Sequence, residues 1–265
     1  MDTIAHYEGQ LYHSERSRRV HDALTVEAAL QIIVNQIPFT VTMRTPGADD
    51  ALIRGLLYAE DVYRQAPPLT IQYQKKNAIT TLARLQIPKA GLGAGLNSSR
   101  RLLSVSACGI CGKTELEETS TFQHELQTAA ALSIEVLVAA FAKMKTQQPT
   151  FLQSGGSHAA AALDEAGTLL TLQEDVGRHN AVDKVVGALL QTQQLPQAVA
   201  LLVSGRLSYE IVAKTYSAGI PILAAVSAPS SLAVEYAKQF GLTLLGFCRG
   251  HKLTCYAHPW RLVTP

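Results

Sequence analysis

From residue 24 onward, hydrophobic positions fall into short runs separated by polar, glycine-bearing or proline-bearing breaks, whereas residues 1–24 are polar and show no period. Residues 29–34 and 39–43 read as two strands about a turn at Asn35, Gln36, Ile37 and Pro38. Asp49 and Asp50 precede an apolar-rich stretch over residues 51–58, which predicts a helix with acidic residues at its positive end. Ile134, Leu137, Val138, Phe141 and Met144 recur every three or four residues, the stripe of a second helix. Residues 159–163 and 168–172 predict strands joined by a tight turn at Asp164, Glu165, Ala166 and Gly167. Asn180 is placed to cap the following helix, with Asp183 three residues on and Val182, Val185, Val186 and Leu189 as its buried face.

Three apolar runs then follow at residues 198–203, 222–226 and 242–247. The helices between them span about residues 209–217, stopping at Gly219 before Pro221, and begin again near Ser231, with Ala233, Tyr236, Ala237 and Phe240 on one face. Strands alternating with helices of this length predict parallel pairing through right-handed crossovers, hence an α/β second half. The first half is shorter in its elements and reads as a smaller α+β domain over residues 25–125. Residues 1–24 are expected to be a flexible tail, and residues 126–265 the larger domain.

Residues 88–113 break the pattern. Gly91, Gly93 and Gly95 lie on a loop-forming stretch that runs towards Cys108-Gly109-Ile110-Cys111-Gly112, so this segment is expected to be mobile. The glycine spacing is not a dinucleotide fingerprint, because the third glycine is misplaced and no βαβ unit surrounds it.

Composition narrows the function classes. The chain has 265 residues, 47% hydrophobic and 17% charged, enough apolar material for a core and too little charge for disorder. A formal net charge of +2 does not argue for nucleic-acid or membrane-surface binding, so any anion site must be local. The N-terminus has no apolar core of a secretory signal, and no apolar run approaches the length that spans a bilayer. A soluble, cytoplasmic protein is expected. In that compartment the four cysteines, Cys108, Cys111, Cys248 and Cys255, are not a disulfide framework.

Two chemistries remain open for the Cys108–Cys111 pair. The flanking glycines expose the sulfurs, and Lys113, Arg100 and Arg101 favour a thiolate able to carry sulfane sulfur as a persulfide. The alternative is a zinc knuckle, which needs a second pair. Cys248 and Cys255 have six residues between them, wider than zinc sites usually show, and no structural metal is expected. A zinc-deaminase site is excluded: His158 is followed by Ala159 and Ala160, and no proline precedes Cys108.

Ligands of open parallel sheets bind beyond the carboxyl ends of the strands. Here those exits carry Ser204-Gly205-Arg206, then Ser227 before a helix start, then Phe247, Cys248, Arg249, Gly250, His251 and Lys252; a fourth turn spans Asp175 to Asn180. The arginines, lysine, hydroxyls and helix termini are the parts of a phosphate cradle. The plainer alternative is that they are solvated loop residues and helix caps.

Several segments together resemble the FdhD family of formate dehydrogenase accessory proteins. They are Thr45-Pro46, Ser106-Ala107-Cys108-Gly109-Ile110-Cys111-Gly112, Ser154-Gly155-Gly156-Ser157-His158, the run from Glu174 through Gly177-Arg178-His179-Asn180 to Lys184, Ser204-Gly205-Arg206, Gly219-Ile220-Pro221 and Gly246-Phe247-Cys248-Arg249-Gly250. Cys248 stands where a non-cysteine is usual, and Ser154 and Ser157 where threonines are common. The resemblance implies a sulfurtransferase that accepts persulfide sulfur from a cysteine desulfurase and delivers it to the bis(molybdopterin guanine dinucleotide) molybdenum cofactor, its bound substrate, for the formate dehydrogenase catalytic subunit. It implies Cys108 as persulfide carrier, Cys111 assisting, and Phe247 to Lys252 at the guanine-nucleotide end; the strand-exit reading adds Ser204, Arg206 and Ser227 to the same cradle. It also implies a homodimer and a cytidine-deaminase-like, three-layer second domain whose sheet is mixed but largely parallel.

Overall fold

The computed structural model describes residues 2–14, 16–66, 68–96 and 124–264. Cys108, Cys111 and most of the segment expected to be mobile lie outside them.

The first two strands, β1 (Ile4–His13) and β2 (Arg16–Thr25), pair antiparallel over their full length. The expectation of an irregular tail is therefore corrected. The alternation was faint because it is carried by few apolar residues: one face of the ribbon holds Ala5, Tyr7, Leu11, Val20 and Leu24, and Tyr7, Leu11 and Leu24 are exposed. Its base is fixed by the Thr25 hydroxyl, 2.6 Å from that of Ser154.

A four-stranded sheet follows, ordered β4-β3-β6-β5, from β3 (Ala28–Val34), β4 (Ile37–Arg44), β5 (Ile71–Lys75) and β6 (Thr80–Leu85). Strand β3 alternates strictly between buried and half-buried, the signature of a sheet covered on one face. The cover is α1 (Asp49–Ala59), whose Leu52, Ile53 and Leu57 pack with Leu30, Ile32, Val34, Ala83 and Leu85. The described part of the glycine-rich stretch is docked: Gly93 N–H donates to Val62 O and Gly95 N–H to Asp61 O, both at 3.0 Å.

The second half is built from β7 (Leu132–Ser133), α2 (Ile134–Thr146), α3 (Pro149–Ser154), β8 (His158–Leu163), β9 (Leu169–Asp175), α4 (Arg178–Gln191), β10 (Ala200–Val203), α5 (Tyr209–Ser217), β11 (Ile222–Ala225), α6 (Ser231–Gln239), β12 (Thr243–Arg249), β13 (Lys252–Ala257) and β14 (Leu262–Val263). Its main sheet runs β13-β12-β11-β10-β8-β9. Strands β10, β11 and β12 are parallel, as the crossover pattern predicts, while β8, β9 and β13 join antiparallel. Alternate residues serve two cores. Ala160, Ala162, Leu201, Val203, Leu223 and Ala225 face α4, α5 and α6; Ala161, Leu163, Leu202, Ala224 and Leu245 face Leu137, Ala140 and Met144 of α2. The short β7 and β14 pair parallel beside this domain.

The two halves meet at α1 and α4. A Cβ on Gly55 would stand 1.9 Å from Asp183 O, and one on Gly187 would stand 1.8 Å from Ala51 O, so backbone packs directly on backbone. Helix α4 is consequently covered by the sheet on one side and α1 on another. That burial extends to Asn180, Asp183 and Lys184 as well as the expected Val182, Val185, Val186 and Leu189.

Candidate functional site

Strand directions bring five loop segments to one edge of the main sheet. Parallel β10, β11 and β12 all exit there. Because β8 runs antiparallel to β10 and pairs His158 with Asp175 of β9, the start of β8 and the end of β9 share that edge. The loops interlock through backbone bonds: Ser204 N–H to Ala159 O (2.9 Å), Leu207 N–H to Ala228 O (3.1 Å), Ser230 N–H to Leu207 O (2.9 Å) and Phe247 N–H to Ser227 O (3.1 Å). The Ser204 hydroxyl accepts from Ala159 N–H at 2.9 Å, so this serine is partly committed to the scaffold. Arg206 is exposed; Arg249 is exposed but donates its Nε–H to Val226 O at 2.9 Å. Arg249 and Lys252 pair across the turn formed by Gly250 and His251. The structure thus brings together Ser204, Arg206, Ser227, Phe247, Arg249, Gly250, His251 and Lys252.

Cys248 is the exception. A register irregularity lies between Gly246 and Arg249, and Phe247 adopts φ +56°, a left-handed conformation that a bulky side chain adopts only when its surroundings enforce it. The bulge turns Phe247 outward, 44% exposed, and Cys248 inward beside Leu245 and Ala224. Burial pushes the Cys248 thiol up to about 11 and that of half-buried Cys255 likewise upward, so both favour the protonated, less nucleophilic form. The expectation of Cys248 as a cofactor contact is corrected on this ground. Among the described residues no group of three or more histidine, cysteine, aspartate or glutamate side chains is placed to hold a metal ion.

The run Glu174–Lys184 turns out to be a clamp between the two halves. Asp175 and Lys184, both essentially inaccessible, form an ion pair at 2.8 Å. Asp175 also accepts from Thr45 N–H (3.1 Å), Gly177 N–H (2.8 Å) and Asn180 Nδ2 (2.9 Å), while Lys184 donates to Thr45 O and Glu174 O. Asn180 Nδ2 reaches Met43 O at 2.7 Å and its Oδ1 accepts from the Thr42 hydroxyl. Asn180 is therefore not the helix cap; that position is Gly177, and the amide side chain ties α4 to β4. Glu174 accepts from Thr150 N–H, Phe151 N–H and the Ser157 hydroxyl, holding α3. Beside this network, His179 Nε2 lies 2.8 Å from Glu210, and Lys214 pairs with Asp183 at 2.6 Å.

Two residues absent from the sequence-based set join the edge: Arg178, at the start of α4, and His158, at the start of β8. Both pack against Gly205. Burial chiefly, then the positive fields of Arg178, His179 and Arg206, hold the His158 imidazole below its ordinary pKa, against the opposing pull of Asp175. The predicted hairpin of β8 and β9 carried the signal, since antiparallel addition beside β10 puts the start of β8 at the strand exits.

A cleft of about 540 Å³ opens elsewhere, between α1, β5 and α4, lined by Pro46, Asp49, Asp50, Tyr73, Gln173 and Gln191. Its acids are already engaged, Asp49 with Arg44 and Asp50 with the Tyr73 hydroxyl.

A profile of the FdhD/NarQ family matches residues 25–263. A Streptomyces avermitilis protein named sulfur carrier protein FdhD is 41% identical, over 91% of this chain and 89% of its own length. One of the same name from Sulfolobus acidocaldarius is 39% identical over 91% of both. The crystal structure of a candidate formate dehydrogenase accessory protein from Desulfotalea psychrophila shares the fold, with a TM-score of 0.77 at 20% identity, covering 99% of this chain and 100% of that one. The mixed α/β architecture, the motifs that build its clamp and edge, and these likenesses place the chain in the FdhD/NarQ family.

Proposed function

We propose that this protein is a sulfur carrier that delivers sulfur to a molybdenum cofactor serving formate dehydrogenase. The cofactor's guanine dinucleotide end sits on the strand-exit edge. The observation that supports the reading best is the convergence of Arg206, Arg249, Lys252 and Arg178 on an edge where the Asp175 carboxylate is neutralised by Lys184. Such an edge favours a phosphorylated ligand. The names of the curated relatives support the sulfur chemistry.

In the proposed mechanism the Cys108 thiolate attacks the outer sulfur of a desulfurase cysteine persulfide. A new sulfur–sulfur bond forms on Cys108 and the desulfurase leaves as its thiolate, so no external oxidant is needed. Attack by the Cys111 thiolate on the inner sulfur of the Cys108 persulfide then releases hydrosulfide; the two cysteine thiolates supply the two electrons and are left as a Cys108–Cys111 disulfide, which a dithiol reductant reopens before the next cycle. The ligand edge holds the acceptor while this occurs. The same reading takes the layered second half as cytidine-deaminase-like in ancestry, the protein as a cytoplasmic homodimer, and the cysteine desulfurase and the formate dehydrogenase catalytic subunit as partners.

Mass spectrometry after incubation with a cysteine desulfurase and cysteine tests the central claim. The wild type should gain about 32 Da, one sulfur, by this exchange, and Cys108→Ala should not. An equal adduct on Cys108→Ala overturns the assignment. Full binding of cofactor with no sulfur gained by the wild type would leave a non-catalytic binding module.

A further inference from the structure

We propose that the ribbon of β1 and β2 is a self-association surface, on which a second copy of this chain stacks its own ribbon face to face and end for end. Of the proposed function the inference takes only the pairing of two copies, and it rests on none of the sulfur chemistry.

The ribbon is fastened at its root, by Val26 N–H to Thr3 O at 2.9 Å and by the Thr25 and Ser154 hydroxyls. Beyond Ala5 every residue of β1 is exposed, and in β2 only Val20, Ala23 and Thr25 are half-buried. A two-stranded hairpin with both faces wet is at best marginally stable in water. Residues directly opposite in the ladder share a face. One face carries the successive rungs Tyr7–Asp22, Gly9–Val20 and Leu11–Arg18, with Leu24 opposite Ala5 at the root. On it Tyr7 is 60%, Leu11 43% and Leu24 46% exposed. The opposite face is the polar one, with His6, Gln10, Arg19 and a Glu8–His21 contact of 3.7 Å. A contiguous apolar strip left in water marks an interaction surface.

That strip is complementary to itself. Its central rung is Gly9 and Val20, with Tyr7 and Asp22 on the root side and Leu11 and Arg18 on the tip side. A two-fold axis across the central rung lays one ribbon over the other with their directions opposed, β1 on β1 and β2 on β2. Leu11 then meets the partner's Tyr7 and Arg18 meets the partner's Asp22, each contact occurring twice, as an isologous interface requires. Val20 meets its own copy on the axis, and Gly9 beside it adds no side chain to hold the backbones apart. Stacking in the same direction would instead bring the two Arg18 side chains to one level and the two Asp22 side chains to another, so charge selects the opposed arrangement. Ten residues at about 3.3 Å each make the ribbon about 33 Å long. Each tip therefore reaches the level of the other's root, where α3 exposes Phe151 and Leu152. The strip alone is small beside the roughly 1,200 Å² of a stable interface, and α3 extends it.

The experiment is sedimentation velocity of the full-length protein over a range of concentrations, at low and at high salt. The wild type should dimerise, less tightly at high salt because the Arg18–Asp22 pairs are screened. Arg18→Asp and Asp22→Arg should each weaken dimerisation about tenfold, since each replaces two attractions by two repulsions, and the double variant should restore it. Within one chain these side chains stand two rungs apart, so recovery in the double variant requires a second copy. In a Cys108→Ser, Cys111→Ser background, a short bismaleimide should join Val20→Cys to its own copy and should not join Gln10→Cys, which lies on the opposite face. Dimerisation like wild type in both single charge variants overturns the proposal, as does a wild type that stays monomeric. Sulfur loading of Cys108 in the same samples separates the two readings, because a monomer that loads sulfur overturns the pairing and leaves the sulfur carrier standing.

Discussion

The clamp around Asp175 and the corner around Arg178 lie three residues apart in sequence and are opposites in physical state. In the clamp, both oxygens of Asp175 and the ammonium of Lys184 are saturated with partners drawn from both halves of the molecule. Around Arg178, a guanidinium nitrogen has no acceptor among the described residues, and burial chiefly, then positive neighbours, holds the His158 imidazole below its ordinary pKa. Saturated polar groups rigidify, whereas an unsaturated one is a cost retained for a ligand. One eleven-residue run thus carries an assembly device and, within it, a guanidinium nitrogen that the device leaves unused.

Substitutions can break that contrast. Lys184→Met leaves Asp175 as an uncompensated buried charge and should cost about 3–5 kcal/mol, enough to threaten folding of a domain of ordinary stability. Urea unfolding checks this; a shift under 1 kcal/mol would mean the clamp is solvated in solution. Gly187→Ala drives a methyl against Ala51 O and should cost about 1–3 kcal/mol as α1 and α4 are forced apart, read as a lowered Tm. Arg178→Met, by contrast, should change stability by no more than about 0.5 kcal/mol, its effect confined to the ligand. A large loss there would make Arg178 a second clamp. The smallest effect belongs to the core thiols. In a Cys108→Ser, Cys111→Ser background, iodoacetamide at pH 8 should leave Cys248 and Cys255 unmodified in the native protein and label both after denaturation, since burial holds both thiols protonated. Stability should fall as pH rises above about 9, where unfolded thiols ionise and the buried ones do not. Rapid native labelling of Cys248 would put that cysteine back into the site.

The strands and helices of the second half were legible because each is an unbroken apolar run or a 3.6-residue stripe; Ile222–Ala225 and the helix before it fall where the pattern puts them. The hairpin at Ile4–Thr25 was not, because its apolar face is too sparse to stand out from a polar tail. Asn180 looked like a cap, since a capping amide and one that ties a helix to a distant strand share the same sequence neighbourhood. Phe247 and Cys248 exchanged faces through a bulge, and nothing in a period-two pattern announces one extra residue. Arg178 stood in plain view but was unreadable as a ligand, because whether a guanidinium is already spent depends on partners far away in sequence.

The antiparallel insertion of β8 beside β10 also has a consequence for how the protein acquires its activity. The edge draws on residues from His158 to Lys252, and its neighbours in space are separated by long loops in sequence. Closing such loops is entropically slow, so no early fragment of the folding chain contains a usable site. In a refolding experiment, nucleotide binding should return only with the slowest phase that restores the complete sheet, after the helical signal has recovered. On the proposed reading, occupancy of the edge would mark a completed sheet, separating assembled chains from those still folding.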